Sequence, residues 1–201
     1  MKQNRSLLLL LLAFIILAGI ALVQNQILST PRPVATAVPS ATSEPSINLD
    51  QRIFADLDAS AIVAWQVMDP LTQATMTFTR LDENLWESLE VGIEVDQQVA
   101  NQLTYTAAVL PYLRILPDVG SERYAEYGLT VEDAYLLLSI LLEDNSQHAV
   151  LIGDVTPERN GHYALVDDRT EVYVLDARPV AFLTIYLRQF YDAQHMTPSA
   201  N

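Results

Sequence analysis

The sequence predicts an α+β domain with a largely antiparallel sheet, carried behind one N-terminal transmembrane helix and a disordered stalk. Three observations predict it. Leu7–Val23 is an unbroken apolar run, LLLLLLAFIILAGIALV. Residues 24–47 are then dominated by Pro, Ser, Thr and Ala. Beyond them the apolar residues recur first with the period of strands, then of a helix, then of strands and a helix again.

Leu7–Val23 would reach roughly 25 Å as a helix, the short end of what spans a bilayer core. Lys2 and Arg5 precede it, and the next cation is Arg32. That bias sets residues 1–6 in the cytoplasm and the bulk of the chain outside, as a single-pass protein of the cytoplasmic membrane. The competing reading is a cleaved signal peptide, with Gly19 and Ala21 as the small residues before the cut. The apolar run continues through that site to Val23, which favours an uncleaved anchor. The chain has no cysteine, so a lipidated cysteine, disulfides and thiolate metal sites are excluded.

Residues 24–47 include Pro31, Pro33, Pro39 and Pro45 and few large apolar side chains, so they are expected to form an extended stalk rather than a core. The folded domain is expected over 48–192, with 193–201 a disordered tail. Net charge is −14, and the 8 arginines and 25 acids that follow residue 43 leave −17 on residues 44–201. Such a surface repels nucleic acid and anionic lipid headgroups.

Within the domain, Asn48–Leu57 reads as a short helix or turn packing Ile53, Phe54 and Leu57. Ile62–Met68 reads as a strand ended by Asp69-Pro70. In Ala74–Leu81, Met76 and Phe78 alternate with Thr75, Thr77 and Thr79, predicting one buried and one wet face. Asp82-Glu83-Asn84 is a turn before a third strand, Leu85–Leu89, which carries Trp86. From Asp96, a candidate N-cap, Val99, Leu103, Ala107 and Leu110 follow helical spacing. Pro111 and Pro117 break that helix. Ser121–Tyr127 suggests one more helical turn, closed by Gly128. Ala134–Leu142 is apolar on both faces and reads as a central strand. Gln147–Gly153, His162–Val166 and Glu171–Leu175 complete the second strand set, separated by turns at Asn160-Gly161 and Asp167–Thr170. Asp176 caps a last helix with a stripe of Val180, Leu183, Leu187 and Phe190.

The order of these pieces resembles the bacterial domain-of-unknown-function family 4340. The resemblance spans roughly residues 57–187 and is carried by the Trp86 strand, Tyr127-Gly128-Leu129, Leu151-Ile152-Gly153, His162-Tyr163-Ala164 and Val172-Tyr173-Val174-Leu175. The Thr130-Val131-Glu132-Asp133 stretch and Glu87-Ser88-Leu89 depart from the usual pattern. The resemblance implies an envelope-anchored protein, in some cases accompanying an ABC-type transporter, and implies no established chemistry.

No catalytic residue, cofactor or metal is expected. His148 and His162 on adjacent strands, with Asp154 or Asp167, lack any metal-ligand spacing. The acid pairs Asp82-Glu83, Glu132-Asp133, Glu143-Asp144 and Asp167-Asp168 fall at predicted turns, where acids solvate the chain, rather than across a cleft. His195 falls in the tail. Among Trp65, Trp86, Tyr105, Tyr112, Tyr124, Tyr127 and Tyr163, most are expected in the core. Tyr124 and Tyr127 are the candidate partner-binding residues, on a long connection from Tyr112 to Leu129. The favoured expectation is a non-enzymatic, membrane-anchored accessory or interaction module. The alternatives are an envelope glycan- or peptide-binding domain and, third, a hydrolase.

Overall fold

The computed structural model describes residues 51–90, 94–117 and 119–195. The expected cytoplasmic segment 1–6, membrane helix 7–23, linker 24–47 and residues 196–201 lie outside the described residues. Among the described residues no helix is long and apolar enough to cross a membrane.

Eight strands form one sheet: β1 (Ile62–Met68), β2 (Thr75–Asp82), β3 (Leu85–Ser88), β4 (Tyr112–Leu116), β5 (Leu136–Leu142), β6 (Gln147–Val155), β7 (Gly161–Val166) and β8 (Val172–Asp176). Their order across the sheet is β3-β2-β1-β5-β6-β7-β8-β4. Every pairing is antiparallel. Helices α1 (Gln97–Ala108) and α2 (Ala177–His195) contribute to the core cluster on one face of the sheet. The α+β reading therefore holds.

Alternation puts Trp65 and Val67 of β1, Met76 and Phe78 of β2, and Leu136, Leu138 and Ile140 of β5 in that helix-side core. Leu103 and Ala107 of α1 and Val180, Leu183 and Leu187 of α2 meet them. One polar tie crosses this core: the Trp65 indole N–H donates to Thr104 Oγ1 at 2.8 Å, and the same hydroxyl donates to Ala100 O. Asp96 caps α1 by accepting from the amides of Gln98 and Val99. Asp176 takes the Arg178 amide and the Arg178 guanidinium. Burial alone would push its carboxyl up, and the Arg178 hydrogen bonds outweigh burial and hold it below the usual range. Ile53, Phe54 and Leu57 are buried as expected, and the bends and turn at 53–56 match the turn rather than the helix of that reading.

The second face of the sheet has its own small core. After β4 the chain makes a 3₁₀ segment, Ser121–Tyr127, and crosses this face to reach β5. Leu129, Ala134, Leu151, Leu165 and Val172 are buried there, with Tyr124, Tyr127 and Tyr163 packed against them. Two glycines permit the crossing. Gly128 ends the segment at φ 65°, in the left-handed region. Gly153 lies directly beneath, where a Cβ would collide with the carbonyl oxygen of Tyr127 and the backbone of Gly128.

Three expectations are corrected. Tyr112–Leu116 is an edge strand hydrogen-bonded to β8, not part of a connection. Its flanking prolines, read as helix breakers, bound a strand whose partner lies far downstream. Thr77 and Thr79 are only 3% and 6% exposed, so the threonine face of β2 is not wet. Gln66 lies opposite Thr77 and donates to its hydroxyl, and Glu87 lies opposite Thr79. Finally, α2 runs through His195, past the expected domain end at 192. His195 donates from Nδ1 to Tyr191 O at 2.7 Å, with its ring 4.1 Å from that tyrosine.

Candidate functional site: an apolar rim at one end of the sheet

Strand register sets which residues share an end of the sheet. Met68 lies opposite Leu137, Leu136 opposite Ile152, and Val155 opposite His162. The end of β1, the start of β5, the end of β6 and the start of β7 are therefore adjacent. Three large apolar side chains stand exposed there: Leu71 at 85%, Val155 at 47% and Tyr135 at 36%.

Each is held outward by local structure. Asp69 builds the β1–β2 turn by accepting from the amides of Leu71 and Thr72 and from the Thr72 hydroxyl. Gln73 completes the turn at φ 60°. Leu71 is thereby fixed at the turn's tip. Tyr135 donates its amide to Ile152 O, and its ring stacks on His162 at 5.0 Å and 17°. A register shift between Ile152 and Val155 re-aims the end of β6. The following turn is fixed by buried Thr156, whose amide donates to Gly161 O.

His162 underlies this rim. Its Nδ1–H donates to Gly153 O at 3.1 Å. Burial pushes the imidazole below its ordinary value, outweighing that hydrogen bond and the nearby Asp154 charge.

The two histidines do not meet. His162 is at the rim end of β7, whereas His148 is at the other end of β6, where Asp167 Oδ2 accepts from its Nδ1 at 3.0 Å. The His148 ring also packs on Phe54, centroids 4.5 Å apart. Among the described residues no group of three or more His, Cys, Asp or Glu is placed to hold a metal. The acid pairs Asp82-Glu83, Glu143-Asp144 and Asp167-Asp168 sit at or beside hairpin turns, and Glu132-Asp133 lies in the turn before β5.

Tyr124 and Tyr127 are half-buried in the second-face core. The Tyr124 hydroxyl donates to Thr170 O at 3.3 Å, and burial raises its phenol above the usual value. Tyr127 meets Tyr163 edge-to-face at 4.7 Å and accepts from Arg123 at 3.0 Å. The two tyrosines share a cluster, but their rings brace the crossing against the sheet. The rim itself was missed because Leu71, Tyr135 and Val155 are far apart in sequence, and only the register brings them together. The one local signal was Leu71, a large apolar residue inside the DPLTQ turn.

Compared with known families, curated proteins and solved structures, the chain finds no match.

Proposed function

We propose that the protein is a non-enzymatic accessory module anchored in the cytoplasmic membrane by Leu7–Val23, with its N-terminus inside and its domain outside, and that it engages a protein partner through the rim. The observation that carries this reading is the exposure of Leu71, Tyr135 and Val155 together at one end of a rigid sheet. An anchor residue on a stiff scaffold costs little ordering on binding. Acids lie close in sequence to the rim residues, among them Glu132, Asp133 and Asp154. The fitting partner presents an apolar centre with a cationic margin. The resemblance to family 4340 points the same way, toward an ABC-type transporter or another envelope complex as the partner.

The test is site-specific photocrosslinking in native membranes. A crosslinker at Leu71 or Tyr135 should give one dominant protein adduct. Leu81 and Ile185, also exposed but away from the rim, should give none. Equal labelling from all four positions, or no protein adduct from the rim, would reject the reading. The aromatic stack of Tyr135 on His162 favours a second reading, a glycan or peptide ligand, which would appear as ligand-dependent quenching without an adduct.

A further inference from the structure

His162 is placed between two of the three rim residues. Val155 is its register partner on β6, and the Tyr135 ring stacks on it. Both neighbours are exposed, while His162 itself is half-buried. Its Nδ1 is committed to Gly153 O, a group that only accepts, so a second proton arrives at Nε2. Several elements bring charged or titratable groups near this ring. Asp154 follows Gly153 on β6 and favours the proton. Tyr135, from the lead into β5, also favours a cation across its face. The β6–β7 turn carries Arg159, and Glu158, which faces Arg114. Asp176 lies opposite Gly161, next in the chain to His162, and is paired with Arg178 at the start of α2. Burial opposes the proton and outweighs these groups in the free protein.

We propose that docking at the rim is proton-linked: a bound partner and a proton on His162 exclude one another, so the partner is held in neutral medium and released as the medium turns acid. This rests on the reading of the rim as a partner surface and adds its control. A partner seated on Tyr135 and Val155 excludes solvent from what remains exposed of the ring, and its cationic margin repels an imidazolium. Both effects act in the complex alone. Binding therefore expels the Nε2 proton to water, and by the same linkage proton uptake weakens binding. Because the ring already titrates below about 6.5 in the free protein, affinity is full above that pH and declines as pH falls through the ring's own value.

Crosslinking from Leu71, which leaves the stack intact, tests this on the full chain in native membranes. The adduct yield should fall about threefold or more between about pH 7.5 and about pH 5. His162→Gln and His162→Asn do not titrate, and the Asn amide can still donate to Gly153 O. Both should form the adduct with a yield that no longer falls. Asp154→Asn removes a charge that favours the proton and should move the fall to lower pH. A yield independent of pH in the original chain would overturn the proposal, as would a yield that rises in acid or an equal fall in both His162 variants. Loss of the adduct from both variants at neutral pH would make the ring structural and overturn it too. Absence of the adduct from the original chain at both pH values would reject the rim reading itself, and this inference with it.

Discussion

Gln97 serves Trp86 as one more strand. Its Oε1 accepts the Trp86 amide at 2.7 Å, and its Nε2 donates to the Trp86 carbonyl at 3.0 Å. A single side chain on α1 thus satisfies both backbone groups of Trp86. Asn101, one turn on, accepts from the Trp86 indole at 3.0 Å, and Arg80 lies over the ring at 4.6 Å. At Trp86 the β3 edge is closed by side chains, one of the ways an edge strand is kept from pairing further.

Gln97→Ala should therefore destabilise the protein by about 1–3 kcal/mol, because two partly buried backbone groups lose their partners. Gln97→Glu keeps the acceptor, loses the donor and should fall between. Trp86→Ala should cost more, about 3–5 kcal/mol, since the ring is 2% exposed. Urea unfolding followed by tryptophan fluorescence checks the Gln97 pair, and circular dichroism checks Trp86→Ala. A Gln97→Ala protein as stable as the original would show that water replaces the amide without cost.

Tyr124→Ser should lower stability by about 1–3 kcal/mol, as for other large side chains cut from a packed cluster. Tyr124→Phe should stay within about 1 kcal/mol, because it loses only the hydroxyl's bond to Thr170. Thermal unfolding separates the two. A Tyr124→Ser protein with an unchanged melting temperature would return this ring to the surface and to the partner-binding role its sequence position suggested.

Gly153→Ala should displace the 3₁₀ crossing, because the new methyl meets the Tyr127 carbonyl oxygen and the Gly128 backbone rather than a side chain that can swing away. A cost of about 1–3 kcal/mol is expected, as for other overpacked sites. Gly128→Ala pays for a left-handed backbone at φ 65°, about 1–2 kcal/mol. Tyrosine fluorescence and thermal melts of the two variants would show whether the second-face core loosens in both.

The depressed His162 imidazole makes stability depend on pH in one direction. Its folded pKa lies below the unfolded value of about 6.5, so the folded state binds fewer protons. The contribution is fully present above pH 6.5 and is lost as pH falls through the lower, folded value. His162→Gln should flatten that part of the stability profile on the acid side of pH 6.5, and leave the profile at pH 7–8 parallel to the original. An unaltered slope in the variant would place the acid sensitivity elsewhere.

Most of the strands were legible because each carries its own period. Met76 and Phe78 announced β2, and the double-faced run Ala134–Leu142 announced a central strand, which β5 is. Helix α1 was legible from Asp96 and the Leu103–Ala107 spacing, and Gly128 from its place after a short helical turn. What stayed hidden depends on distant partners. Tyr112-Leu113-Arg114-Ile115-Leu116 has no clean alternation, and a bulge between Tyr112 and Arg114 explains why. Thr77 looked solvated because the sequence does not show that Gln66 lies across from it. Tyr124 and Tyr127 looked free because the second core they join draws on Leu129, Leu151 and Val172 from three separate segments. The rim was illegible for the same reason.

Strands β3 and β4 follow one another in the chain yet occupy opposite edges of the sheet. This separation sets a clock on biogenesis. Among the described strands β4 pairs with β8, and Leu116 is opposite Val172, more than fifty residues later. At about 5–20 residues per second, β8 leaves the ribosome roughly 3–11 s after β4. During that interval the first half of the domain can assemble its β1–β2–β3 meander, but it carries an apolar segment without a mate. Neither half is a finished object, and the sheet closes only when the last strand is delivered.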